Sequence, residues 1–256
     1  MKLGFVGTGT ISSAVIAGLA KSSLDIEEVI VSPRNAETAA RLSEQHALVS
    51  VGKDNQDVVD RSQIVFLAVR PQIAEAVIRD IHFRSGQHVV SFIPVVSPET
   101  IAGWIGVPVK ITQALPLPFV AHRLGATAFY PPEETISAIF SALGTAVAVT
   151  DRREYELLTT GSALMGTYFG ILESAERWLT ESGVPSLQAH AYLRQLFTGL
   201  AYATAVSPNA AFAELRSEFS TKGGLNEQIF RDFQGSGGTA ALEGALAGAL
   251  ARVRGG

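Results

Sequence analysis

A glycine turn close to the start of the chain has the residue types and spacing that suit phosphate binding. Gly7 and Gly9 follow an apolar run, Lys2–Val6, that predicts a strand, and the apolar residues after them recur at helical spacing. Gly7 permits a tight turn, Gly9 lets the backbone approach a phosphate, and a helix start at Thr10 and Ile11 offers free N–H groups. The pattern therefore predicts a dinucleotide pyrophosphate site, and an ordinary strand-to-helix turn is the alternative.

The end of the next predicted strand, Glu28–Ser32, distinguishes the two nicotinamide dinucleotides. An NAD site usually has Asp or Glu there for the ribose 2′-hydroxyl, whereas an NADP site has small polar groups and an Arg for the 2′-phosphate. No acid follows this strand, but Ser32, Arg34 and Asn35 do. We expect NADP rather than NAD, although Asn35 can also cap a helix over Ala36–Gln45.

A third apolar run, Gln63–Val69, is typical of a strand that is buried on both faces of a parallel sheet. Its last residues, Ala68 and Val69, and the Arg70 and Pro71 that follow, fall at the carboxyl edge of that sheet. Cofactors lie at this edge in open α/β sheets, so all four residues are predicted cofactor contacts.

Strand and helix patterns alternate through the first 150 residues, which predicts an α/β fold that begins with a Rossmann-like doubly wound sheet. A stretch with two prolines, residues 113–123, predicts a stiff loop that overhangs the nicotinamide. His122 and Arg123 on this loop are candidate contacts for a substrate carboxylate or carbonyl, although side chains of these types on a loop are more often solvated.

After Asp151 only helical patterns remain, which predicts a dinucleotide-binding domain over 1–150 and an all-α domain over 151–256. One long helix is expected over 152–182 and a shorter one from Ser207 to Glu218. A glycine pair, Gly223 and Gly224, then precedes another helix, and its exposed N–H groups predict a carboxylate cradle. A plain capped helix is the alternative.

Composition narrows the classes of partner and location. The formal charge is −4 without a basic run, which argues against nucleic acid or an anionic membrane as the main partner. There is no cysteine and no run of 18 apolar residues, so we expect a soluble, cytoplasmic protein without disulfides. The last helical pattern is small and apolar on nearly all sides, which favours burial against a second subunit.

Taken in order, these residues resemble the pyrroline-5-carboxylate reductase family over essentially the whole chain. The resemblance rests on the order and spacing of Gly4-Phe5-Val6-Gly7-Thr8-Gly9, Ser32-Pro33-Arg34, Asn55-Gln56, Ala68-Val69-Arg70-Pro71-Gln72, Thr160-Gly161-Ser162 and Thr221-Lys222-Gly223-Gly224. It implies an NADP-binding domain, with Asn55 among the cofactor contacts, and a helical dimerisation domain. It also implies a homodimer or an assembly of dimers through the C-terminal helices.

The chemistry that the resemblance implies is hydride transfer from NADPH to a cyclic imino acid, which converts pyrroline-5-carboxylate to proline. Thr221, Gly223, Gly224, Leu225 and Asn226 are then the substrate-binding residues, and Thr221 and Asn226 are also the catalytic ones. No metal is required. Asn226 stands where the family has a threonine whose hydroxyl faces the imine nitrogen.

Several positions depart from the family pattern where substrate is expected. Asn226 lacks the hydroxyl, and an amide cannot relay a proton as a hydroxyl does. Further departures are Leu225, Ile93-Pro94-Val95-Val96, Leu115-Pro116-Leu117-Pro118 and Ala163-Leu164-Met165. The alternatives are therefore an NADP-dependent oxidoreductase for another C=N or C=O substrate, and a non-catalytic NADP-binding sensor. A β-hydroxyacid dehydrogenase is disfavoured because residues 161–170 contain no lysine.

Overall fold

The computed structural model describes residues 1–255. The first part of the chain forms one eight-stranded sheet. The strands are β1 Lys2–Val6, β2 Glu28–Val31, β3 Val49–Val51, β4 Ile64–Leu67, β5 His88–Ser91, β6 Lys110–Pro116, β7 Gly125–Tyr130 and β8 Gly144–Ala148. Their spatial order is β3-β2-β1-β4-β5-β6-β7-β8. Neighbouring strands are parallel except for the antiparallel pair β6 and β7. The predicted doubly wound sheet is confirmed.

Helices cover both faces of the sheet because its central strands are apolar on both sides. Alternate residues of β1 and β4 separate into two cores: Phe5 stacks on Phe66 at a centroid distance of 4.6 Å in one, and Val6 and Leu67 lie in the other. The helices of this part are α1 Thr10–Leu19, α2 Ala36–Gln45, α3 Asn55–Arg61, α4 Pro71–Arg79, α5 Pro98–Ile105, α6 Glu134–Ser141 and α7 Arg152–Ser162, with a 3₁₀ helix at Pro118–His122.

The rest of the chain is helical: α8 Leu164–Glu181, α9 Ser186–Val206, α10 Phe212–Glu218, α11 Leu225–Gly235 and α12 Gly238–Val253. The chain divides into two compact units. Among the described residues, the first unit contains 1–160 and 250–255, and the second contains 161–249. The assignment of a separate function to each part remains a prediction.

Two helix predictions in the second half are wrong. The expected single helix over 152–182 is two helices, with Ala163 between α7 and α8. Gly161 lies just before this junction and lowers helix propensity there. The helix expected from Ser207 begins instead at Phe212, where the carboxylate of Glu214 accepts a hydrogen bond of 2.9 Å from the Ala211 N–H.

The prediction that residues 113–123 form a loop is also wrong, and the last of these residues lie away from the glycine turn. β6 extends to Pro116, and the 3₁₀ helix Pro118–His122 packs on the C-terminal turn of α1, where a Cβ at Gly18 would lie 2.2 Å from the Val120 carbonyl oxygen. Gly18 is about 12 Å along the helix axis from Thr10, at the end of α1 away from the glycine turn.

Arg123 follows this 3₁₀ helix and has a structural role. Its guanidinium donates hydrogen bonds to the carbonyl oxygens of Ala142, at 3.1 Å, and Lys21, at 3.4 Å. These carbonyls follow the C-terminal ends of α6 and α1, where a cation is favourable. Arg123 therefore satisfies main-chain acceptors, and this contradicts its candidacy as a substrate contact.

Close packing at Gly18 predicts opposite effects for the same substitution at two helical glycines. Gly18→Ala places a methyl group against immobile backbone and should destabilise the fold by about 2 kcal/mol. At exposed Gly103 in α5 a Cβ would meet no atom within 4 Å, so Gly103→Ala should stabilise by roughly 0.5 to 1 kcal/mol. Thermal unfolding of the two variants measures both effects, and a fall in Tm for both would contradict the packing argument.

Candidate functional site

A cavity of 510 Å³ opens at the carboxyl edge of the sheet, where β1 has β2 on one side and β4 on the other. Strand order reverses at this point, and such crevices bind ligands in open α/β sheets. The cavity is lined by Gly7, Thr8, Gly9, Ser32, Arg34, Asn35, Ala36, Asn55, Ala68, Val69, Arg70, Ile73 and Val77.

The structure brings together all the predicted cofactor residues except Thr10, Ile11 and Pro71. Thr10 is the exposed first residue of α1, and Pro71 is the exposed first residue of α4. The side chain of Ile11 packs instead against the hydrophobic core.

Sequence reasoning missed four lining residues: Thr8, Ala36, Ile73 and Val77. Thr8 lies between the two glycines, so its position in the turn was an available signal. Ile73 and Val77 are one helical turn apart on α4, and that spacing could have placed both on the cavity side.

The two glycines of the turn are required for different reasons. Gly7 has φ of +106°, and a Cβ there would lie 2.5 Å from the carbonyl oxygen of Ala68 after β4, so the fold itself excludes a side chain. At Gly9 a Cβ would meet no protein atom within 4 Å. The space above Gly9 is therefore open for a ligand.

Two buried serines hold Gly7 in place. The Gly7 N–H donates to Ser32 Oγ at 2.9 Å, and Ser12 Oγ donates to the Gly7 carbonyl oxygen at 2.6 Å. Ser32 is only 1% exposed, so its main contribution is to fix the turn. This differs from the direct role in phosphate binding that its position after β2 predicted.

The N-terminus of α1 has no capping side chain and no acidic residue in its first turn. The first hydrogen bond of the helix joins the Ser13 N–H to the Gly9 carbonyl, which leaves the N–H groups of Thr10, Ile11 and Ser12 without helical acceptors. These donors and the helix dipole favour an anion beside the glycine turn.

The charge of the cavity lining is positive. Arg34 and Arg70 are both exposed, and neither guanidinium has an ion pair or hydrogen bond among residues 1–255. The lining contains no Asp or Glu. Because Arg34 follows β2, where an NAD site has an acid, the arrangement suits a phosphorylated ribose.

The predicted carboxylate cradle of the second unit is partly occupied by the chain itself. Gly223, with φ of +74°, donates its N–H to the Glu227 carboxylate at 2.5 Å, and the Gly224 N–H donates to the Thr221 carbonyl oxygen at 2.8 Å. Both glycine N–H groups are therefore engaged by the chain itself. A ligand carboxylate at Gly223 would have to replace that of Glu227.

Other donors remain at the start of α11. The N–H groups of Leu225, Asn226 and Glu227 lie in its first turn and have no helical acceptor. The Asn226 side chain donates from Nδ2 to the Phe219 carbonyl oxygen at 2.6 Å. This bond orients the amide, and its Oδ1 has no hydrogen-bond partner within the described chain.

Asn226 also lines an apolar cavity of 830 Å³ in the second unit, which sequence reasoning did not find. Phe219, Phe230 and Phe233 contribute to its wall, and the Arg216 guanidinium lies 4.5 Å from the centre of the Phe230 ring. The lining comes from the helices α9, α10 and α11 and from the two residues that follow α10, and no single-helix pattern reveals how these pack.

The shifted pKa values belong to groups outside both cavities. Burial lowers the pKa of His88, whose ring hydrogen-bonds Thr112 at 3.0 Å at the starts of β5 and β6. Burial also raises the pKa of the Tyr155 hydroxyl. Within residues 1–255 there is no cluster of metal-ligating side chains and no helix long and apolar enough to cross a membrane.

Comparison with known proteins adds sequence and fold relatives. The family model described as NADP oxidoreductase, coenzyme F420-dependent, matches residues 2–94. A pyrroline-5-carboxylate reductase from Pseudomonas aeruginosa is 26% identical over 261 residues, which cover 98% of this chain and 95% of that protein.

Two solved structures have the same fold. A pyrroline-5-carboxylate reductase from Coxiella burnetii aligns with a TM-score of 0.85 at 22% identity, and covers 99% of this chain and 97% of its own. The NADP-bound pyrroline carboxylate reductase of Plasmodium falciparum aligns with a TM-score of 0.81 at 17% identity. The alignment covers 100% of this chain and 97% of that one. The chain, with its glycine turn and doubly wound sheet, is thus similar along nearly its full length to pyrroline-5-carboxylate reductases, and it has their fold.

Proposed function

We propose that this chain is an NADPH-dependent reductase that transfers a hydride to a cyclic imino acid, pyrroline-5-carboxylate or a related imine. The observation that carries the proposal is the cavity at the glycine turn, which has two unpaired arginines and no acid among its described residues. The names of its relatives supply the substrate class. The relatives are pyrroline-5-carboxylate reductases, and they align with this chain along nearly their whole length.

The residues of the first cavity fit NADP(H). The free N–H groups at the start of α1 suit its pyrophosphate, and the open space at Gly9 admits the close approach of a phosphate. Arg34 and Asn35, at the end of β2, are proposed to bind the 2′-phosphate, with Arg70 and Asn55 lining the same cavity. When bound, the nicotinamide supplies the hydride that reduces the C=N bond.

We propose that the loop from Thr221 to Asn226 binds the imino acid. The Thr221 hydroxyl and the N–H groups of Leu225 and Asn226 are the donors for its carboxylate, because those of Gly223 and Gly224 are engaged. The side chain of Leu225 in the same loop is exposed and is a further proposed substrate contact.

Asn226 is proposed to bind a protonated imine. Its Nδ2 is held by the Phe219 carbonyl, so Oδ1 is the free end of the amide, and this oxygen accepts a hydrogen bond but donates none. An iminium N–H is a donor and matches it. Asn226 thus stabilises the protonated substrate and does not itself deliver a proton.

A homodimer through the C-terminal helices is part of the proposal. In α8, α10, α11 and α12 no residue is buried, and large apolar side chains are exposed along them, including Phe169, Trp178 and Phe212. These exposed apolar side chains support an interface with a second copy of the chain. A cytoplasmic location, with no nucleic acid or membrane as a partner, also remains an expectation from the sequence.

The first test is turnover. The purified chain should oxidise NADPH in the presence of pyrroline-5-carboxylate, measured as loss of absorbance by the reduced nicotinamide, with imine omitted as the control. Activity only on other cyclic imines or on carbonyl compounds would favour a different oxidoreductase. Tight NADPH binding without turnover of any of them would favour the sensor.

The second prediction concerns cofactor choice. Arg34→Ala should raise the KM for NADPH about tenfold, since a hydrogen bond to a charged group contributes roughly 1.5 to 3 kcal/mol. The KM for NADH should hardly change, because NADH has no 2′-phosphate. Arg79→Ala, an exposed arginine at the end of α4, is the control. An equal loss for both cofactors would contradict the assignment of Arg34.

The third prediction concerns the substrate carboxylate. Thr221→Val keeps the side-chain shape but removes the hydroxyl, and should raise the KM for the imino acid about tenfold with little change in kcat. Thr180→Val is the matched control, because that hydroxyl donates to the Glu176 carbonyl within α8. If Thr221→Val keeps the wild-type KM, as the control should, the Thr221 hydroxyl does not bind the carboxylate.

A further inference from the structure

A buried glutamine ties the carboxyl half of β6 to the turn that follows β5. Gln113 is 1% exposed, and its Nε2 donates to two main-chain carbonyls, of Val96 at 2.6 Å and of Ile93 at 3.4 Å. The two N–H groups of one amide therefore fix both ends of the turn over residues 93–96.

Other hydrogen bonds close the same turn. The Val96 N–H donates to the Ile93 carbonyl oxygen at 3.2 Å, and the Ile93 N–H donates to Ser91 Oγ at 3.2 Å. The side chain of Ile93 is buried beneath the turn, whereas that of Val95 is 54% exposed at its tip. The turn thus presents a fixed apolar surface to the outside.

The turn lies at the carboxyl edge of the sheet, beside the end of β4. The Phe92 N–H donates to the Leu67 carbonyl oxygen at 2.9 Å, so β4 and β5 remain paired up to this edge. The cavity described above takes most of its lining from the ends of β1, β2 and β4, and the proposed function assigns it to the adenosine half of the cofactor. In a doubly wound sheet the other half of a dinucleotide extends over the strands beyond β4.

We propose that Gln113 is a positioning residue that holds the turn over residues 93–96, with Val95 at its tip, against the nicotinamide half of the bound cofactor. This inference rests on the proposed function. Gln113 does not touch the reacting atoms. It holds in position the turn against which the nicotinamide ring packs. A ring displaced by about 1 Å loses much of its reactivity, because hydride transfer requires close alignment of donor and acceptor.

Gln87 provides a matched comparison at the other end of β5. It is also buried, at 6% exposed, and its Nε2 donates to the carbonyls of Val59 at 2.9 Å and Ser62 at 3.0 Å. The two glutamines make the same kind of contact at opposite edges of the sheet. A structural role alone therefore predicts the same behaviour for both.

The experiment compares Gln113→Leu with Gln87→Leu, because leucine keeps most of the volume and removes the amide. Gln113→Asn, which keeps the amide but shortens its reach, is the second variant if leucine prevents folding. Three quantities are measured beside Tm: kcat with its isotope effect from 4-deuterated NADPH, the fluorescence of bound NADPH, whose titration also gives the Kd of NADPH, and the Kd of 2′,5′-ADP, which has no nicotinamide.

For the Gln113 variants we expect kcat to fall about tenfold, the isotope effect to rise and the emission of bound NADPH to change. The Kd of 2′,5′-ADP should stay within about twofold of wild type. Gln87→Leu should lower Tm only. The inference is overturned if both glutamines affect Tm alone, or if 2′,5′-ADP and NADPH lose affinity equally. Failure of the wild type to reduce any imine overturns the proposed function, and the fluorescence comparison then decides the role of Gln113.

Discussion

The close approach of β1 to β4 at Gly7 is the constraint on which the first unit depends. The turn can pass beside the Ala68 carbonyl only because residue 7 has no Cβ, and the serines on α1 and after β2 hold it there. This contact fixes the direction in which α1 leaves the sheet. The same contact places the free N–H groups of that helix at the edge where the strand order reverses.

The positive charge at this edge of the sheet depends both on its two arginines and on the absence of Asp and Glu from the described lining. The end of β2 carries an arginine and an asparagine in place of an acid, and α4 begins next to a second arginine. With no carboxylate in the described lining, neither guanidinium is neutralised by its neighbours. The cavity therefore has both the donors and the charge that a phosphorylated dinucleotide needs.

The sequence was sufficient to predict the sheet and most of this cavity because local patterns determine both. Apolar runs of strand length, glycine at a turn and polar residues at strand ends are all visible without a structure. The resemblance to a family supplied Asn55, which no local pattern selected. Ser32 was located correctly after β2, but its burial and its bond to Gly7 depend on how β1 and β2 pair.

The errors arise where tertiary contacts override local preference. Arg123 looked like a loop residue until the 3₁₀ helix placed it at the ends of two helices. The cradle at Gly223 looked free because a glycine pair gives no sign that Glu227, four residues later, turns back to it. The apolar cavity of the second unit required three helices to be assembled.

The two glycines of the opening turn are required for different reasons, one for folding and one for the space beside the turn. Variation that is filtered only for folding must retain glycine at position 7, where main chain occupies the place of a side chain, but has no packing reason to retain it at position 9. A side chain at position 9 would meet no protein atom, and its effect on the fold is confined to the capping of α1. Glycine at that position therefore serves the space beside the turn rather than the fold, and a side chain there would fill the space that we assign to the cofactor.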